Sequence, residues 1–162
     1  MSDRPGVRGD LLLHPVALVS LGVLLLNDHV LKAAAPGWVT GKLSDLAGLT
    51  FFPFLLLAAR HVLLRTAPSV GAALAGAAVT GATFAAVKLS TAARQVYSDV
   101  VGVLRFPVDH VVLGVRTPVD VGIAADASDV WAVAACVAVV LVLRRQRSRL
   151  RDVRPDAVAA DA

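Results

Sequence analysis

Apolar positions along this chain come in long blocks, without the spacing of an amphipathic helix or the alternation of a half-buried strand. Hydrophobic runs cover residues 11–26, 46–59 and 70–87, and a shorter one covers 130–143. With its polar flanks, each run extends to roughly 20 residues, the helix length that crosses about 30 Å of hydrocarbon. The pattern predicts an all-α integral membrane protein with four transmembrane helices and a capping loop or short hairpin between helices 3 and 4. The expected spans are 11–32, 44–64, 69–88 and 126–143, making 11–143 the membrane domain. Residues 1–10 and 144–162 are then tails, and 89–125 is an extracytoplasmic loop.

Composition agrees. The chain has 162 residues and is 57% hydrophobic, with mean hydropathy +0.72, too apolar to clothe a soluble domain of this size in polar surface. An isoelectric point near 10.0 raises the question of nucleic acid, but the positions of the charges argue against it. Arg144, Arg145, Arg147, Arg149, Arg151 and Arg154 directly follow the last apolar run. Arg4 and Arg8 precede the first, and Arg60 and Arg65 separate the second from the third. The positive-inside rule places all of these in the cytoplasm, so both termini lie there and the number of crossings is even. Trp38, Tyr97 and Trp131 then share the opposite face, where aromatic side chains settle at headgroup level. No cleavable signal peptide is evident, because the first run ends in Asn27-Asp28-His29. Cys136 is the only cysteine and is expected to serve packing.

Within the spans, Pro36-Gly37 should end the first helix, and Ser44 is a plausible N-cap for the second. Pro53 should kink that second helix, since it cannot donate to the carbonyl of Leu49. Phe51, Phe52 and Phe54 around it read as packing. In the third span Ala73, Ala77, Gly81 and Ala85 recur every four residues, beside Ala72 and Gly76. Rows of small residues let helices approach closely, so this helix is expected at the centre of the bundle or at an oligomer interface. The long third loop contains a duplication: residues 100–109 and 111–120 each close with Arg-x-Pro-Val-Asp. Their β-branched content and turn residues favour a hairpin or interfacial cap, with a re-entrant amphipathic helix as the alternative.

The polar residues at the non-cytoplasmic ends are the informative ones. The chain has no glutamate, and its three lysines, Lys32, Lys42 and Lys88, all fall there. Asp28 and Lys32 are one helical turn apart in the favourable order. Lys42, Ser44 and Asp45 bracket the start of the second span, Lys88 leaves the third, and Asp126 and Asp129 enter the fourth. The topology therefore predicts a cluster of Asp28, His29, Lys32, Lys42, Ser44, Asp45, Lys88, Asp126 and Asp129. Ionisable groups at this depth are costly unless paired or solvated, which makes them functional candidates. Three readings compete: an ion-paired structural lid, a basic pocket for an anionic headgroup, and an acid/base or metal site built on Asp28, His29 and Asp45. No metal-ligand spacing, phosphate loop or nucleophile elbow is present, so neither a metal nor a cofactor is expected. Ser44 beside Asp45 and Lys42 is a conceivable nucleophile, although capping accounts for it better. His14 and His61 should sit near the cytoplasmic ends as interfacial residues.

The stretch Asn27-Asp28-His29-Val30-Leu31-Lys32, followed by Thr40-Gly41-Lys42-Leu43-Ser44-Asp45, resembles a pattern in small polytopic bacterial membrane proteins. Asp126-Ala127-Ser128-Asp129 resembles their acidic entry to the last span. The resemblance implies four helices in the bacterial inner membrane and brings no assigned activity. In layout alone the chain is also similar to VanZ-like membrane proteins, from which no functional residue carries over. The functional expectation is a non-enzymatic inner-membrane protein that binds an anionic headgroup or a membrane protein partner at its outer-face cluster. The alternatives are an embedded enzyme acting on a lipid-linked substrate and a subunit of an oligomeric transporter or channel.

Overall fold

A computed structural model describes residues 9–35, 37–119, 122 and 126–159. Four of its helices are long and apolar enough to cross a membrane, α1 (Pro15–Ala34), α2 (Trp38–Leu64), α3 (Val70–Leu89) and the last such segment, Ala127–Ser148. A further helix, α4 (Thr91–Leu113), follows α3. The last segment, α5, begins as 3₁₀ helix over Ala127–Val137 and continues as α-helix over Ala138–Ala159. No strand occurs among the described residues.

The chain forms two compact units. One comprises Met1–Gly81 with Ala132–Ala162, and the other Ala82–Trp131. In the first, α1 packs along α2. Asn27 meets Thr40 and Ser44 at one end of the pair, and His14 stacks on Phe54 toward the other, with ring centroids 6.0 Å apart. The two helices therefore run antiparallel. Phe54, Leu57 and Val139 are fully buried between elements, while Phe52 on the far side of α2 is 47% exposed. Phe54 is thus a core residue and Phe52 is not.

The small-residue row of α3 faces inward. Ala73, Ala77 and Gly81 are buried. At Gly81 a Cβ would lie 2.7 Å from Val133 Cγ1 of α5, and at Gly76 it would lie 3.8 Å from the Pro53 carbonyl oxygen of α2. The missing side chain at Gly81 lets α3 approach α5 this closely, whereas at Gly76 a Cβ would make only ordinary contact with α2; close approach of the first kind is how rows of small residues act between helices.

Outward, the same helices are oily. Leu18, Val19, Leu25 and Leu26 of α1, Leu46, Phe52 and Leu56 of α2, Leu74 and Val79 of α3, and Val137 and Leu141 of α5 are between 42% and 65% exposed. At most 39% of any of the four candidate spans is buried within the chain. Hydrating these side chains would forgo on the order of 10 kcal/mol, comparable to the whole stability of a domain. The surface calls for an apolar surrounding.

Two expectations are corrected by the backbone. Ser44 is not an N-cap, because α2 starts at Trp38. The capping work is done by Thr40, whose hydroxyl accepts from the Gly37 N–H (3.1 Å) and lies 2.9 Å from the Gly37 carbonyl oxygen. Nor does the repeat form a hairpin. Ser90 caps α4 by accepting from the Ala93 N–H (3.3 Å), and Gly114, with φ 68°, ends it with its N–H on the His110 carbonyl. The first copy of the repeat lies wholly within this helix. The second leaves it and returns, so that the Val119 carbonyl oxygen would sit 2.8 Å from a Cβ on Gly102. Helix was the alternative for this segment, over 92–104, and the structure extends it to 23 residues. The last helix likewise runs beyond residue 143, so the arginine-rich segment continues the span as helix up to Ala159.

In the unit that contains it, α4 is amphipathic in an inverted sense. Ser98 and Gly102 are buried, while Val96, Val100, Val103, Leu104 and Val111 are between 52% and 82% exposed. These apolar positions recur at helical spacing along one stripe.

Candidate functional site

The residues expected to cluster fall into two separate sets of contacts, one in each unit. The first is built around Asn27, which the sequence reading passed over. α1 widens to a π-turn over Asn27–Leu31, with the Lys32 N–H reaching the Asn27 carbonyl. Such single-turn bulges recur at functional sites. Here Asn27 and its neighbour Asp28 both reach α2. The Asn27 side chain is fully buried. Its Nδ2 donates to the Thr40 carbonyl oxygen (2.7 Å) and to Ser44 Oγ (2.7 Å). Ser44 Oγ in turn donates to Asp28 Oδ1 (2.5 Å), and Asp28 Oδ1 pairs with Lys32 Nζ at 2.7 Å. The result is a relay from a buried amide to a surface cation.

The relay is anchored but incomplete. Asn27 Oδ1 is buried and has no hydrogen-bond partner among the described residues. Lys32 and Asp28 are 43% and 40% exposed, so both remain open to a ligand. Nearby, Lys42 Nζ lies 4.8 Å from the centroid of the Trp38 ring, a cation–π contact that holds the ammonium over an exposed indole. Lys42 and Asp45 both take part in further polar interactions. His29 turns back to its own helix, its Nδ1 3.0 Å from the Leu25 carbonyl oxygen. His29 therefore does not join the Asp28–Ser44 relay.

In the second unit, Lys88 Nζ meets Asp129 Oδ2 at 2.6 Å, with the two side chains only 9% and 7% exposed. Lys88 Nζ also lies 5.3 Å from the Phe84 ring centroid. A buried pair of this kind joins the end of α3 to the start of α5. Asp126, expected beside it, accepts the Ser128 N–H on Oδ1 (2.8 Å) and so shapes the entry to the 3₁₀ segment. Ser98, buried on α4, also takes part in a polar interaction.

Chemically, the first set can exchange a cation between a carboxylate and an incoming anion. Asp28 has the Ser44 hydroxyl as a second donor, so it would not be stranded if Lys32 turned to an anion. The same set also places a serine hydroxyl against a carboxylate. Among the described residues, no three His, Cys, Asp or Glu side chains gather closely enough to hold a metal ion. The sequence carried one signal for Asn27, an amide at the end of an apolar run, but gave no indication of its two acceptors on α2. No family model matches the chain, and no curated protein or solved structure is significantly similar to it.

Proposed function

We propose that this is a four-span bacterial inner-membrane protein with both termini in the cytoplasm, which binds an anionic lipid headgroup through the Lys32 and Lys42 rim. The reading is supported by four apolar helices with lipid-compatible surfaces, by Arg60 and Arg65 at the end of α2, and by arginines along the later part of α5. In this arrangement α4, which carries Arg94, Asp99, Arg105 and Asp109, lies along the outer surface with its valine stripe toward the acyl chains. One observation carries the binding role: an exposed Lys32–Asp28 pair stands over a buried Asn27 whose side-chain Oδ1 lacks a partner among the described residues. Such an assembly is anchored to α2 from below and leaves its ion pair exposed above.

A second reading draws on the Ser44–Asp28 contact, which has the form of a nucleophile beside its base. In that case the protein is an embedded enzyme acting on a lipid-linked substrate, with the Asn27 amide polarising the serine oxygen.

A photo-reactive residue placed at Val39, which is 68% exposed, tests the first reading in intact cells. The expected adduct is an anionic phospholipid, and it should fall at least fivefold when Lys32 and Lys42 are both changed to glutamine. A protein adduct would instead assign the rim to a membrane partner. Absence of either adduct in a stably inserted protein would refute the binding role. Ser44→Ala should leave the lipid adduct in place under the first reading and abolish turnover under the second.

A further inference from the structure

A second polar concentration lies at the opposite ends of α1 and α2 and is independent of the rim just described. There, a cleft of about 500 Å³ is lined by the 3₁₀ turn Asp10–Leu13, the start of α1, the end of α2 and the later part of α5. Its polar lining is His14, His61, Gln146 and Arg147, with Asp10 as the single acid. Leu11 and Leu143, both 5% exposed, form its apolar side.

Hydrogen bonding fixes what the two imidazoles can offer. His14 Nδ1 accepts from the Val16 N–H (3.2 Å), and His61 Nδ1 accepts from the Gly9 N–H (3.4 Å). A ring nitrogen that accepts cannot carry the proton of the neutral imidazole, so in both residues the proton sits on Nε2. Neither Nε2–H has a hydrogen-bond partner among the described residues, nor does the exposed Arg147 guanidinium. Arg60 Nη1 and Thr66 Oγ1, sequence neighbours of the lining residues His61 and Ala67, are buried and also lack partners. The side chains without partners at these helix ends therefore offer mostly donors, and two of them, Arg60 and Arg147, are permanent cations.

We infer that this cleft binds a phosphate anion flanked by hydrocarbon, the chemistry of a phospholipid headgroup. The two Nε2–H groups and Arg147 receive the phosphate oxygens, since guanidinium and imidazole donors suit a phosphate well. Asp10 accepts a hydrogen bond from a hydroxyl or ammonium of the headgroup beyond the phosphate. Leu11 and Leu143 contact the first carbons of the acyl chains. A soluble phosphate shares only the polar half of this chemistry.

The test uses the full chain in detergent micelles and measures retained lipid by native mass spectrometry. Phosphatidylglycerol is the probe, with diacylglycerol and inorganic phosphate as comparison arms. Arg147→Gln should weaken phosphatidylglycerol retention roughly tenfold, the effect of one charge-assisted contact. Arg144→Gln, an exposed arginine outside the cleft, should leave it unchanged. His61→Asn, which retains an acceptor for Gly9 and removes the Nε2–H, should give an intermediate loss. Diacylglycerol should not be retained. If millimolar inorganic phosphate displaces the lipid, the phosphate site stands and its source is soluble. Equal losses from Arg144→Gln and Arg147→Gln would reduce the effect to the general charge of the helix and overturn the site. Retention of diacylglycerol matching phosphatidylglycerol would overturn it as well.

Discussion

Changing Asp129 to alanine is expected to cost about 3–5 kcal/mol of stability, the usual penalty for removing one partner of a buried ion pair. Lys88 Nζ would lose a carboxylate 2.6 Å away while its side chain stays 9% exposed. The long stem could reach toward the helix end to rehydrate its ammonium, but only by giving up the Phe84 contact and the join between α3 and α5. Replacing both partners by apolar residues of similar size, Lys88→Met with Asp129→Leu, should recover most of the loss, since neither member of the pair is then left buried without the other. Unfolding by SDS titration or by heat in detergent micelles measures both changes. A loss below about 1 kcal/mol for Asp129→Ala would show that the pair behaves like an exposed one.

Asn27→Asp is expected to be nearly as damaging, although it alters no volume. Asparagine presents an NH₂ group to two oxygens, the Thr40 carbonyl and Ser44 Oγ, each at 2.7 Å. A carboxylate in the same place offers those oxygens only lone pairs, from a site with no exposure to water. The cost is about 3 kcal/mol or more, combining two lost hydrogen bonds with a buried, uncompensated charge. Asn27→Ala should cost less, about 2 kcal/mol, because it removes the bonds without adding the charge. The same unfolding titrations rank the two. If alanine proves worse than aspartate, the amide is not the donor that its contacts indicate.

Much of the architecture could be read from block hydrophobicity alone. A run such as 70–87, with small residues every fourth position, specifies both a helix and its inward face. The misreading at Ser44 has a local cause. A serine just before an apolar run is a good capping signal, whereas the true cap, Thr40, lies in a stretch whose tryptophan and lysine look like loop. Only the partner helix shows what Ser44 does, since its role depends on Asn27 and Asp28, 17 and 16 residues away. The helix α4 was obscured for a different reason. Its valines favour extended structure in water and Pro107 falls inside it. The capping pair Ser90 and Gly114 and the exposed valine stripe decide the outcome, and that stripe has the period of a helix. The site residues could be listed from sequence on the expectation that spans alternating in direction bring their polar ends to a common depth. The partner of each residue could not be listed.

The central claim is that four helices cross the membrane, with α4 outside the hydrocarbon and both ends of the chain on the arginine side. Paired reporter fusions test it most directly, with alkaline phosphatase and a cytoplasm-restricted fluorescent protein attached in turn after residues 116 and 159. The account predicts phosphatase activity only after 116 and fluorescence only after 159. Phosphatase activity after 159 would mean an odd number of crossings, and α4 would then be a fifth.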